Sequence, residues 1–163
     1  MIGSFFYARS IYSLQPGWRN LYKEFFSSLL PFEFRRLLKL GGIVVLDKAS
    51  PVVILRSGDP FQKLYFLYSG SAEVVVDQKS HASLHTGDWI AEFSMLTGRP
   101  ASADVLGSSA RLIAWDAIAV QRLKHSMPEI YEKVTALIAR NLCDKLVRAN
   151  RSANQVMAEQ GNG

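Results

Sequence analysis

Between residues 19 and 40, apolar side chains recur at helical spacing: Leu21, Phe25, Phe26, Leu29 and Leu30, then Phe34, Leu37, Leu38 and Leu40. Pro31 interrupts this helical run and Gly41-Gly42 predicts its stop. From Ile43 the period changes. Short runs rich in β-branched and aromatic residues follow: 43–46, 52–55, 64–68 and 72–76. Turn signals separate them at Ser50-Pro51, Ser57-Gly58-Asp59-Pro60, Ser69-Gly70 and Asp77-Gln78. Residues 81–85 alternate weakly, and Val105-Leu106 and 111–115 complete the strand pattern. Many short strands at close spacing predict an antiparallel barrel or sandwich.

The remaining pattern is helical. Ala117 to His125 forms one segment, and Pro128 opens another at a first-turn position. The apolar positions of the second, Ile130, Val134, Leu137, Ile138, Leu142 and Leu146, sweep about half of the helix circumference. Such an arc can meet the chain's own barrel on one side and a second copy of the helix on the other. The end of the chain is polar and closes on Gly-Asn-Gly, which predicts a frayed tail. The expected class is therefore α+β, mainly β. The parts are a segment 1–24, a domain 25–150 with its strands at about 43–116 and its C-terminal helices at about 117–150, and a polar tail 151–163.

Composition narrows this only a little. The 163 residues, 48% hydrophobic and 20% charged, suit one globular domain with a real core. The formal net charge of +5 permits an anionic ligand, an acidic membrane surface or nucleic acid, and equally a solvated basic face. The single cysteine, Cys143, lies in a helical pattern, where a buried inert thiol is expected. A secretory leader and a run of about 18 apolar residues are both missing, so the expected compartment is reducing and cytoplasmic. Residues 1–24 crowd Phe5, Phe6, Tyr7, Tyr12, Trp18 and Tyr22 among Arg9, Arg19 and Lys23. That mixture suits a lipid headgroup layer or packing against the chain's own domain. Pro16-Gly17 predicts a turn within it.

The most constrained stretch runs from Gly87 to Val105. A Gly-Asp turn opens it, Trp89-Ile90 follows, and Glu92 stands at the start of a short apolar segment. Gly98-Arg99-Pro100 then turns into small residues. Glycines and a proline confine this backbone, and the small side chains of Ala91, Ser94, Ala101, Ser102 and Ala103 leave room beside it. A small ligand approaching main-chain amides needs such a place, and a plain surface loop would also use it. Catalysis finds little support. His81, His85 and His125 show no metal-ligand spacing, no Ser/His/Asp set can be picked out, and there is no Walker motif.

Taken in order, these segments resemble the cyclic nucleotide-binding domain family. Residues 54–59 resemble its first strand and turn, 64–74 its central hairpin with a glycine at the turn, and 84–88 the approach to its phosphate-binding cassette. Ile90-Ala91-Glu92 stands where the family has Phe-Gly-Glu, and residues 98–105 where it has Gly-x-Pro-Arg-x-Ala-Thr-Val. Residues 110–116 are similar to its last strand. Within the family, residues 31–38, the Pro-Ala-Ser-Ala-Asp run at 100–104 and Leu-Ile-Ala-Trp-Asp at 112–116 resemble the Popeye-type branch and its bacterial relatives.

The resemblance implies a jelly-roll-like β-barrel (a double-stranded β-helix) flanked by N-terminal helices and a long C-terminal helix. It implies a non-enzymatic regulatory domain with no cofactor, whose ligand is cyclic AMP or another cyclic nucleotide. The implied ligand-binding residues are Gly87, Ile90, Ala91, Glu92, Phe93, Ser94, Arg99, Pro100, Ala101, Ser102 and Ala103. Glu92 would accept the ribose 2′-hydroxyl, as an ionised carboxylate does well. Its plainer role is a carboxylate at a helix N-terminus. Backbone N–H groups near Phe93 and Ser94, with Ser102, would meet the phosphate. Two departures stand out. Ala101 occupies the place of the arginine that usually clamps the phosphate, with Arg99 two positions earlier, and Ala91 replaces a glycine. The expected partners are the nucleotide, a second copy through the C-terminal helix, and a membrane surface or membrane protein. Nucleic acid is not expected, because the chain ends before a recognition helix could follow.

Overall fold

A computed structural model describes residues 16–161. Two short helices, α1 (Pro16–Phe25) and α2 (Pro31–Leu40), precede three strands, β1 (Gly42–Leu55), β2 (Lys63–Val76) and β3 (Lys79–His85). The two-residue strand β4 (Trp89–Ile90), helix α3 (Glu92–Thr97) and strand β5 (Asp104–Asp116) follow. Helices α4 (Ala117–Ser126) and α5 (Pro128–Gln160) complete the described chain. Every strand pairing is antiparallel, in the order β1-β5-β2-β3, with β4 added to β2.

Alternation along the strands makes two cores. Leu64, Phe66, Trp89, Ile113 and Trp115 face the helices, where they join Phe26, Phe34, Ile130, Val134 and Ile138. Their neighbours Leu67, Ile90 and Leu112 point the other way, into the roll, with Leu46, Leu84 and Val105. A two-residue strand period produces this division wherever both faces of a sheet are covered. Trp115 joins the layers, donating its indole N–H to Leu37 O at 2.8 Å.

The expected strand breaks fall differently. The runs 43–46 and 52–55 form one strand, as do 64–68 with 72–76 and 105–106 with 111–115. Ser50-Pro51 and Ser69-Gly70 are register shifts inside long strands, not turns between strands. Gly70 adopts φ +85°, and a Cβ there would lie 2.0 Å from Ser109 O, so only glycine lets β5 approach. The hairpin turn is Asp77-Gln78, both residues at positive φ, as a two-residue loop of matching twist requires.

Further expectations at the two ends of the chain are corrected. Pro16 is the first residue of α1, where a missing N–H costs nothing, rather than part of a turn. Of the tail from Gln155 to Gly163 that is expected to fray, residues 155–160 continue α5 as helix. Ala, Glu, Gln and Met are good helix formers, and polarity alone does not break a helix. Cys143 is exposed, because α5 turns that side away from the core. Phe5, Phe6, Tyr7 and Tyr12 lie outside the described residues. Trp18 and Tyr22 pack against the helix-side core, Trp18 beside the Tyr68 ring.

Candidate functional site

The stretch from Gly87 to Asp104 forms one bracket on the roll. Gly87 adopts φ +100°, and a Cβ there would come within 2.4 Å of the Phe25 ring, so α1 packs directly on the opening turn. The turn is closed by Asp88, whose Oδ2 accepts the His85 N–H at 2.8 Å. Ile90 enters the roll core. Ala91 then takes the left-handed conformation, φ 68° and ψ 13°, and α3 begins at Glu92. A positive φ is the reason a glycine suits this place, and alanine holds it with strain. Gly98, also left-handed, ends the helix and donates its N–H to Ser94 O. The far arm is fastened by backbone. Gly58 N–H donates to Ala101 O at 2.7 Å, Ala101 N–H to Asp59 O at 2.9 Å, and Ser57 N–H to Asp104 Oδ1 at 2.7 Å.

The anticipated ligand residues divide by exposure. Ile90, Ala91, Glu92, Ser94 and Ala101 are buried, Gly87 and Ala103 half-buried, and Phe93, Arg99, Pro100 and Ser102 exposed. No hydrogen bond or ion pair among the described residues joins Arg99 or Ser102 to Glu92.

Helix α5 supplies what the bracket lacks. Val134 and Ile138 are buried in the helix-side core, and the same helix face continues as Asn141, Lys145 and Arg148. Arg148 grips both oxygens of Asp88, at 2.9 and 2.8 Å. Asn141 bridges the same turn, donating from Nδ2 to Asp88 Oδ1 at 2.8 Å and accepting the Trp89 N–H at 3.0 Å. Lys145 Nζ donates to Trp89 O and to Glu92 Oε1, each at 2.5 Å. Asp88 is thus a fully buried carboxylate satisfied by four donated hydrogen bonds. Glu92 is 7% exposed and ion-paired. Sequence reasoning missed Asp88, Asn141, Lys145 and Arg148 as site residues. The available signal was polar residues at helical spacing, continuing a buried apolar face.

A second tie holds the start of α5. Glu33 of α2, 2% exposed, accepts Lys133 Nζ and the Leu30 N–H, each at 2.7 Å. Burial pushes the Glu33 carboxyl up, but the Lys133 and Leu30 hydrogen bonds and the Lys133 charge outweigh it and hold it below its ordinary value. The long helix is therefore bound by ions to α2 at one end and to the bracket nearer the other.

A mainly antiparallel roll with flanking helices, a helical bracket before its last strand and a long closing helix is the cyclic nucleotide-binding β-roll fold. The family model described as "Cyclic nucleotide-binding domain" matches residues 51–124, from within β1 to within α4, and supports the family over that part of the chain. The chain is similar to a cAMP-dependent protein kinase regulatory subunit of Dictyostelium discoideum, 33% identical over a match covering 53% of this chain and 30% of that protein. It thus spans less than a third of that relative. Among solved structures, a cyclic nucleotide-binding domain from Methylobacillus flagellatus superposes with TM-score 0.68 at 23% identity, covering 76% of this chain and 72% of that one. A putative cyclic nucleotide-binding protein from Geobacter metallireducens superposes at 0.67 with 13% identity, covering 82% and 99%. No helix among the described residues is long and apolar enough to cross a membrane.

Proposed function

We propose that this chain is a non-catalytic cyclic nucleotide sensor of the cytoplasm, with cyclic AMP the first ligand to test and no cofactor. One observation carries the reading: Glu92 is a nearly buried carboxylate that opens α3 directly after left-handed Ala91, inside the family's roll. In this reading the ribose 2′-hydroxyl donates to Glu92, and the phosphate lies toward the N–H groups of Phe93 and Ser94 and toward Ser102. Gly87, Ile90, Arg99, Pro100, Ala101 and Ala103 shape the surrounding wall. Helix α5 carries the signal, since Asn141, Lys145 and Arg148 tie it to the bracket. Ligand shifts the helix only so far as it binds one arrangement better than the other. The features at 31–38, 100–104 and 112–116 favour the Popeye-type branch.

The output end of α5 suits a second copy of the chain. Leu142, Leu146, Ala149, Ala153 and Val156 recur four and three residues apart, and Leu146 and Val156 are 64% and 53% exposed. That spacing is the one a helix pair needs. Exposed Leu30 and Phe32, with Arg36 over the Phe32 ring, are the features that would meet a membrane surface or a membrane protein.

A second reading is a ligand-free roll kept as a dimerisation or interaction module. Ala101 in the arginine's place and Lys145 already seated on Glu92 favour it. Calorimetry with cyclic AMP and cyclic GMP separates the two. Sensing requires saturable binding that Glu92→Ala weakens by about ten- to hundredfold, the worth of a hydrogen bond to a charged group. Ala101→Arg should then tighten binding. Absence of heat at millimolar nucleotide sinks the sensing reading.

A further inference from the structure

The bracket is short of positive charge. Between Gly87 and Asp104 stand three carboxylates, Asp88, Glu92 and Asp104, against one guanidinium, the exposed Arg99. An anion approaching this stretch alone meets net repulsion. The cations come instead from α5. Arg148 is spent on both oxygens of buried Asp88. Lys145 is not spent in the same way. An ammonium has three N–H donors, and the described residues engage two, through Trp89 O and Glu92 Oε1. Its side chain keeps 20% exposure, so it is not sealed from solvent.

Lys145 is also held in place without help from a ligand. Asn141, one turn before it, and Arg148, one turn after, both bind Asp88, and Asn141 takes the Trp89 N–H as well. The ammonium therefore stays beside Glu92. Glu92 in turn keeps capacity, for Oε2 accepts no hydrogen bond from the described residues.

Resting on the nucleotide-sensing reading above, we propose that Lys145 supplies the positive charge that receives the ligand's phosphate, in the place of the arginine absent at Ala101. The cation then comes from the closing helix instead of the far arm of the bracket. Its third N–H bonds a phosphate oxygen while Glu92 Oε2 accepts the 2′-hydroxyl. Helix α5 is thereby part of the binding site itself. Lys145 lies beyond residues 51–124, the part of the chain that the family model matches.

The test is titration of the full chain with cyclic AMP and with 2′-deoxy cyclic AMP, which offers Glu92 no hydroxyl. Lys145→Gln, which keeps a donor and loses the charge, and Lys145→Met are compared with Lys145→Arg, each checked for native circular dichroism. The expected result is a loss of tenfold or more for both neutral variants, equal for the two nucleotides, with Lys145→Arg within about threefold of the parent. A loss seen with cyclic AMP but absent with the 2′-deoxy compound overturns the proposal, because Lys145 would then act only by orienting Glu92. Unchanged or tighter binding in a folded neutral variant overturns it as well, while leaving the sensing function standing. A parent chain that binds neither nucleotide removes both.

Discussion

Arg148→Ala tests the tie between α5 and the bracket most directly. The substitution removes both hydrogen bonds from the guanidinium and leaves Asp88, with a side chain only 2% exposed, as a carboxylate without a cation. Breaking a buried ion pair from one side costs about 3–5 kcal/mol, mostly for the stranded charge. Two features of the site reduce this. The Arg148 side chain is 41% exposed, so water can follow it out, and His85 N–H and Asn141 Nδ2 still donate to the carboxylate. We expect a loss of about 2–3 kcal/mol in urea unfolding, and at the 2–4 °C per kcal/mol typical of chains this long, a fall of roughly 4–12 °C in melting temperature. Amides of α5 beyond Leu142 should lose hydrogen-exchange protection first, since among the described residues this tie and Lys145 are what fasten the helix to the bracket there. The decisive control is the Asp88→Asn background, where no buried charge remains to be stranded. There Arg148→Ala should cost under about 1 kcal/mol. An equal cost in both backgrounds would falsify the ion-pair account and leave Arg148 a packing residue.

Ala91→Gly should raise the melting temperature by up to about 4 °C. Relief of roughly 1–2 kcal/mol of left-handed strain at φ 68° is partly offset by glycine's freer unfolded chain, and a lower melting point would refute the strain. Glu33 ties α2 to α5 with its pKa held below the unfolded value, so its contribution is complete above the ordinary carboxylate pKa and is lost as pH falls through the depressed one. Urea titrations in mildly to strongly acidic buffer should show a shallower loss of stability in Glu33→Gln than in the parent, and identical slopes would exclude the linkage. Leu146→Glu should convert a dimer into a monomer in light scattering without lowering the melting temperature of the roll, because the residue is 64% exposed within one chain. A parent chain that is already monomeric at high concentration would refute the helix-pair seam.

The sequence alone determined a good deal. Helical spacing over 19–40 and after Pro128, and β-branched runs between them, identified helix, roll and helix, because burial imposes periods of 3.6 and 2 residues on any chain. Ordered turns and small residues located the bracket at 87–105, and the glycine-like place of Ala91 is legible in the sequence and matches its φ of 68°. Strand ends were less legible. Ser50-Pro51 and Ser69-Gly70 signal a departure from regular backbone, and a bulge inside a strand uses the same residues as a turn between strands. Residues 155–160 are less legible for a related reason, since their apolar positions, Val156 and Met157, are too few among polar neighbours to stand out as a helical period. What only the tertiary structure decided is the partnership across the site. Asn141, Lys145 and Arg148 look like ordinary polar residues of a helix. They acquire their role from Trp89, Glu92 and Asp88, between 52 and 60 positions earlier in the chain. A local pattern records which way a side chain faces. The group that waits there is set by how the roll and the helix pack, and that is why the charge balance of this bracket appears only in the folded molecule.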